Sequence, residues 1–185
     1  MKRLISCNFL LFFLVISTIT SYAADKPYYI GPGDVLEISV WKDAELSRTV
    51  VVPPDGAVSF PLIDSVKATN LTVTDLKNII KKKLSVYVPD PTVTVMLMEI
   101  NSLKAYVIGK VNNPGEFPIN LESSVMQILA KAGGLTPFAS KSNIIILRQL
   151  KGRIEEIPFD YGEVEDGENL QQNIFLKSGD VVVVP

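Results

Sequence analysis

The sequence predicts an α+β chain of two small domains in series, each a sheet with one capped helix, and three observations carry that prediction. A glycine–aspartate turn feeds a β-branched strand twice, as Gly33-Asp34 before Val35–Val40 and as Gly179-Asp180 before Val181–Val184. Two helix starts are written as capping boxes, Thr72 with Asp75 and Ser124 with Gln127. The remaining apolar residues fall in short runs bounded by Pro, Gly and Asn, the pattern of strands joined by tight turns.

The chain opens with Met1-Lys2-Arg3, a continuous apolar run Phe9–Ile16, and the small residues Ser21 and Ala23 on either side of Tyr22. This is the layout of a secretory leader, with cleavage expected after Ala23 and a mature start at Ala24. Leu4-Ile5-Ser6-Cys7 resembles a lipoprotein box, but the apolar segment that such a box must follow comes after it here, so lipidation of Cys7 is set aside. The mature chain then has no cysteine and no thiol chemistry. Loss of Lys2 and Arg3 leaves 16 basic against 20 acidic residues, a formal charge of −4, which argues against nucleic acid as a partner.

In the first domain, Val35–Trp41 alternates Leu36, Ile38 and Val40 against Glu37 and Ser39, a strand with one buried face. Val50–Val52, the turn Pro54-Asp55-Gly56 and Ala57–Phe60 read as a hairpin. The helix from Thr72 places Val73, Leu76, Ile79, Ile80 and Leu84 on one face, with Lys77 and Lys81–Lys83 on the other side and at its end. That lysine run reads first as a solvated face; contact with an anionic glycan is the sharper alternative. Thr92–Ile100 is apolar on both faces and is expected to be a central, doubly covered strand, with its methionines as core filler. Trp41 is expected at a core edge or a subunit contact.

The second domain begins near Lys104 with a strand to Gly109, a Pro114-Gly115 turn and a return strand around Phe117–Ile119. The helix from Ser124 carries the stripe Val125, Ile128, Leu129 and stops at Gly133-Gly134. Asn143–Leu147, a Lys151-Gly152 turn and Ile154–Ile157 form a second hairpin, and Val181–Val184 a last strand. Two hairpins with a helix laid across a mixed sheet make a β-grasp arrangement. The acidic Glu163–Glu168 reads as an exposed loop without the ligand spacing of a calcium site.

Catalysis is not expected. The sequence contains no histidine, its one cysteine lies in the leader, and neither S-x-x-K nor G-x-S-x-G occurs. No cofactor or metal is expected, and no aromatic cluster marks a deep sugar pocket.

These residues and their order resemble the bacterial polysaccharide export family, an export domain followed by a soluble-ligand-binding β-grasp. The export pattern is carried by Gly31, Gly33, Asp34, Asp55, Gly56 and Pro61. The β-grasp pattern is carried by Gly109, Pro114, Gly115, Gly133, Gly134, Arg148, Gly179 and Asp180. The family usually has glycine where this chain has Asp64 and Asn70, both residue types that tolerate the left-handed region. The resemblance implies residues 1–23 as signal peptide, 24–101 as export domain and 102–185 as β-grasp domain. It also implies a ring-like homo-oligomer at the periplasmic side of the outer membrane that conducts capsular or exopolysaccharide, working with an inner-membrane copolymerase. Larger relatives continue into a membrane-crossing helix, so a separate outer-membrane protein is expected here. The rival reading is a soluble periplasmic module that binds a glycan or small ligand. Which residues would touch polysaccharide is not legible.

Overall fold

The computed structural model describes residues 27–150 and 152–185. The leader reading, with Cys7, Ala23 and Ala24, lies outside the described residues, as does Lys151 of the expected hairpin turn. The first region holds β1 (Val35–Val40), β2 (Asp43–Val51), β3 (Ala57–Phe60), β4 (Asp64–Lys67), α1 (Val73–Leu84) and β5 (Val93–Glu99). Strand β1 is the middle of a three-stranded antiparallel sheet, β2-β1-β5, and β3 pairs with β4 as a separate hairpin.

Alternation along β1 sends Leu36, Ile38 and Val40 into the core, where they meet Leu76, Ile80 and Leu84 from the apolar face of α1. Each fully buried Leu or Ile contributes about 1.5–3 kcal/mol relative to exposure. The Thr72 capping box is formed: its hydroxyl accepts from Asp75 N at 3.1 Å while the Asp75 carboxylate accepts from Thr72 N at 3.2 Å. Asp64 (φ 53°) and Asn70 (φ 64°) both occupy the left-handed region, so the two turns survive without glycine.

Four expectations for this region are corrected. Val50–Val52 does not form a hairpin with Ala57–Phe60, because Pro53-Pro54 cannot donate to a ladder and turns the chain out of the sheet. Each strand instead pairs with its other neighbour, β2 with β1 around Trp41-Lys42, and β3 with β4 around Pro61–Ile63. Strand β5 is an edge strand rather than a central one, and Met96 and Met98 are 44% and 54% exposed rather than core filler. Apolar residues on both faces do not require both faces to be covered within one chain. Of the two places expected for Trp41 the core edge is the one corrected, since Trp41 sits on the β1–β2 turn, 72% exposed.

The second region holds β6 (Lys104–Gly109), β7 (Gly115–Pro118), α2 (Val125–Lys131), β8 (Ile144–Leu150), β9 (Arg153–Phe159), α3 (Tyr161–Glu165), a 3-10 turn (Leu170–Gln172) and β10 (Val181–Val184). The sheet order is β7-β6-β10-β8-β9, with β10 parallel to β6 and antiparallel to β8. The two hairpins are thus stitched together by the last strand, and α2 buries Val125, Ile128 and Leu129 against their common face: this is the β-grasp topology. Gly109 (φ 97°) is required where β6 ends, since a Cβ there would lie 1.9 Å from the Val184 carbonyl oxygen. Gly133 and Gly134, both at φ 79°, end α2 as expected.

Two details differ in this region. Gly115 is the first residue of β7, and the reversal lies earlier, at Asn112-Asn113, which bond to the α2 end through Asn112 Nδ2 to Gly133 O at 2.7 Å and Asn113 N to Ala132 O at 2.8 Å. The acidic segment is not a plain loop. Asp160 caps the short helix α3 by accepting from Glu163 N, and Val164 is buried beneath it. The two buried apolar clusters, Ile30 to Val95 and Ala105 to Val184, share no residue.

Candidate functional site at the junction of the two regions

The two glycine–aspartate turns use one local device. Asp34 Oδ2 accepts from Gly31 N at 2.8 Å and Asp180 Oδ2 from Lys177 N at 2.7 Å, each closing a loop three residues back. The backbone then grips a neighbouring strand. Gly33 N donates to Val52 O at 2.8 Å and Val52 N to Asp34 O at 2.9 Å. Correspondingly, Gly179 N donates to Lys104 O at 2.8 Å and Tyr106 N to Asp180 O at 2.9 Å. Both carboxylates are buried, Asp34 at 0% and Asp180 at 1% exposure.

Their partners differ. Asp180 is met by a cation: Arg148 Nε donates to Oδ1 at 3.0 Å and Nη2 to Oδ2 at 2.6 Å, and the same Nη2 donates to Phe175 O at 3.1 Å. This planar two-point contact satisfies both charges and raises the Arg148 pKa, the hydrogen bonds to Asp180 being the main cause. Asp34 is met by neutral donors. Its Oδ1 accepts from Asn101 N at 3.0 Å and Ser102 N at 2.9 Å, and its Oδ2 also accepts the Tyr28 hydroxyl. Burial first, and then the hydrogen bond to this carboxylate, push the Tyr28 phenol well above its ordinary pKa.

The connection between the regions is thereby held from both sides. Asp34 grips the amides of Asn101 and Ser102, Tyr28 Oη lies 2.9 Å from Ser102 Oγ, and Ser178 Oγ donates to Ser102 O at 2.5 Å. Gly31 is needed for this approach, because a Cβ there would stand 2.5 Å from the Ser102 Cβ. A shallow cleft of about 330 Å³ opens over the junction, lined among others by Gly33, Asn101, Lys104, Tyr106 and Ser178. On its wall Lys104 pairs with Glu116 at 2.7 Å, which raises the lysine pKa and lowers that of the carboxylate through their mutual hydrogen bond.

Of the residues singled out from sequence, the structure brings Gly31, Gly33, Asp34, Gly179 and Asp180 to this junction or its rim. It leaves Asp55 and Gly56 at the turn before β3, Pro61 in the β3–β4 turn, and Gly109, Pro114, Gly115, Gly133 and Gly134 around the β6–α2 end of the β-grasp. Sequence reasoning missed Tyr28, Asn101 and Ser102 as partners of Asp34, and the pairing of Arg148 with Asp180. The second was readable: Arg148 follows Ile144 and Ile146 at the same parity, so its side chain faces the core and needs an acid there. Among the described residues no three His, Cys, Asp or Glu side chains group as metal ligands, and no helix is long and apolar enough to cross a membrane.

Residues 22–98 match the family described as polysaccharide biosynthesis/export protein, and residues 103–184 match the SLBB domain. The chain is 29% identical over 187 residues to the EPS I polysaccharide export outer membrane protein EpsA of Ralstonia nicotianae, covering 88% of this chain and 48% of that protein. It is 26% identical over 168 residues to the polysialic acid transport protein KpsD of Escherichia coli, covering 83% and 30%. Over 173 residues it is 26% identical to the capsule polysaccharide export outer membrane protein CtrA of Neisseria meningitidis, covering 82% and 43%. The chain thus spans about half or less of the length of these curated relatives. With both matches in the same order as its two regions, the chain belongs to the polysaccharide export family, an export domain followed by an SLBB β-grasp domain.

Proposed function

We propose that this protein is a component of a polysaccharide export assembly of the cell envelope, passing capsular or exopolysaccharide outward without chemical change. The observation that carries this reading is the pair of family matches in order across nearly the whole described chain, together with relatives named for polysaccharide export. The domain limits follow as 24–101 and 102–185, supported by two buried cores that share no residue. The motif glycines and aspartates serve as structural turns, and cleavage after Ala23 delivers the chain to the periplasm for association with the outer membrane. Intact-mass measurement on protein from its host tests the last point: a mass starting at Ala24 is expected, and an acylated Cys7 overturns it.

Export by a passive conduit needs several copies around a bore. Self-association into a ring, an inner-membrane copolymerase that supplies the glycan, and a separate outer-membrane protein complete the proposal. Exposed apolar side chains on the edge strand β5, Met96 and Met98, suit a contact between copies. Cross-linking in cells followed by mass spectrometry tests the assembly, with self-contacts expected and a strictly monomeric chain contradicting it. The junction cleft favours a second reading, a soluble module that binds a short glycan against Tyr106 and Lys104. Saturable binding of an oligosaccharide by the monomer, with normal export in a deletion strain, would select that reading.

A further inference from the structure

We infer that the exposed side of α1 and the turn after it form a track for an acidic polysaccharide, so that the exported glycan is a polyanion. The inference rests on the export reading and names its substrate class. Four of the export region's cations, Lys77, Lys81, Lys82 and Lys83, lie on this one helix in a protein of net negative charge. Lys77 and Lys81 are one turn apart on the same stripe, a like-charge spacing that works against the helix. Of these four lysines only Lys81 meets an acid among the described residues, Asp90 at 3.6 Å, and Lys83 donates to the Ser65 carbonyl at 3.3 Å; Lys77 and Lys82 have no acidic partner there. The cations run along about 9 Å of helix.

Beyond them the chain presents Val86 and Tyr87, 78% and 60% exposed. They are not carried on a loose end. Ser85 N donates to Lys81 O, and both Tyr87 N and Val88 N donate to the carbonyl of Leu84, itself fully buried. An exposed aromatic ring on a hydrogen-bonded turn, following four ammonium groups spread over the exposed side of the helix, is the chemistry that recognises a chain of acidic sugars, the ring meeting the apolar face of a pyranose and the lysines its carboxylates or phosphates. An anionic bilayer fits the surface less well. Insertion at an interface requires the helix to offer its apolar face, and that of α1, Leu76, Ile80 and Leu84, is buried in the core.

The test measures binding of the purified full-length exported protein to alginate, a polyuronate, with dextran of matched length as the neutral polymer and phosphatidylglycerol vesicles as the anionic surface. Alginate should bind, dextran should not, and binding should weaken as salt rises. Lys77→Gln with Lys82→Gln should lower the alginate affinity about tenfold, and Tyr87→Ala should lower it separately. Lys110→Gln with Lys177→Gln should leave it unchanged. All three sets replace exposed or half-buried side chains, and an unchanged thermal midpoint verifies folding. Equal loss in both lysine pairs, no loss in either, or binding to dextran or to vesicles alone overturns the inference. If a deletion strain loses surface polysaccharide while the Lys77/Lys82 variant holds alginate unchanged, only this inference fails. Normal surface polysaccharide in the deletion strain overturns the export reading itself.

Discussion

Asp34 and Asp180 stand at the same place in two copies of one turn, yet the protein neutralises them differently. Asp180 is locked inside its own domain by Arg148, charge against charge. Asp34 has no cation among the described residues and is held by the Tyr28 hydroxyl and three backbone amides, two of which belong to the connection between the domains. The difference separates two tasks. A buried ion pair fixes one geometry within a core and is costly to break from one side. A carboxylate satisfied by backbone amides fixes where the chain leaves one domain for the other, and depends on that exit being in place.

Removing one partner from each turn should therefore break different things. The largest effect is expected from Arg148→Met, which leaves Asp180 buried and uncompensated and should cost about 3–5 kcal/mol of β-grasp stability in urea unfolding. Adding Asp180→Asn should restore part of that loss, because the orphaned charge is gone; an equal loss in the double variant would show that packing, not charge, was at stake. Asp34→Ala strands the amides of Gly31, Asn101 and Ser102 and should cost about 2–4 kcal/mol. It should also loosen the angle between the domains, readable as a broadened distance distribution between spin labels placed on each. An unchanged distribution would refute the role given to Asp34.

Gly134→Val should destabilise the β-grasp by about 1–3 kcal/mol through backbone strain at φ 79°, since nothing else lies within reach of an added Cβ. An unchanged urea midpoint would refute it. The smallest effect is expected from Tyr28→Phe, about 1 kcal/mol for the lost hydroxyl. The same phenol supplies a pH signature. Its pKa is raised on folding, so above pH 10 the folded protein keeps a proton that the unfolded chain has released. Stability from this group is complete below pH 10 and falls as pH rises beyond it; the Phe variant should lack that component of the alkaline decline.

The parts legible in the sequence were those set by local chemistry. Capping boxes at Thr72 and Ser124, the double-glycine stop of α2 and the strands behind each Gly-Asp pair depend on residues a few positions apart. Strand partners depend on residues far apart, and there the reading failed: Pro53-Pro54 looked like the turn of a hairpin but is a corner between two of them. Periodicity also cannot distinguish a strand covered within its chain from one whose outer face is left open, which is why β5 was misplaced. The junction was illegible because its donors are mostly backbone amides, which every residue carries; only the parity of Arg148 along β8 betrayed a partner.

The export reading is tested most directly by the ratio of surface to cell-associated polysaccharide in a strain lacking this gene, measured beside the same strain complemented with the wild-type chain. The account predicts that the ratio collapses on deletion while total synthesis continues, and that complementation restores it. A deletion strain with an unchanged ratio would contradict it.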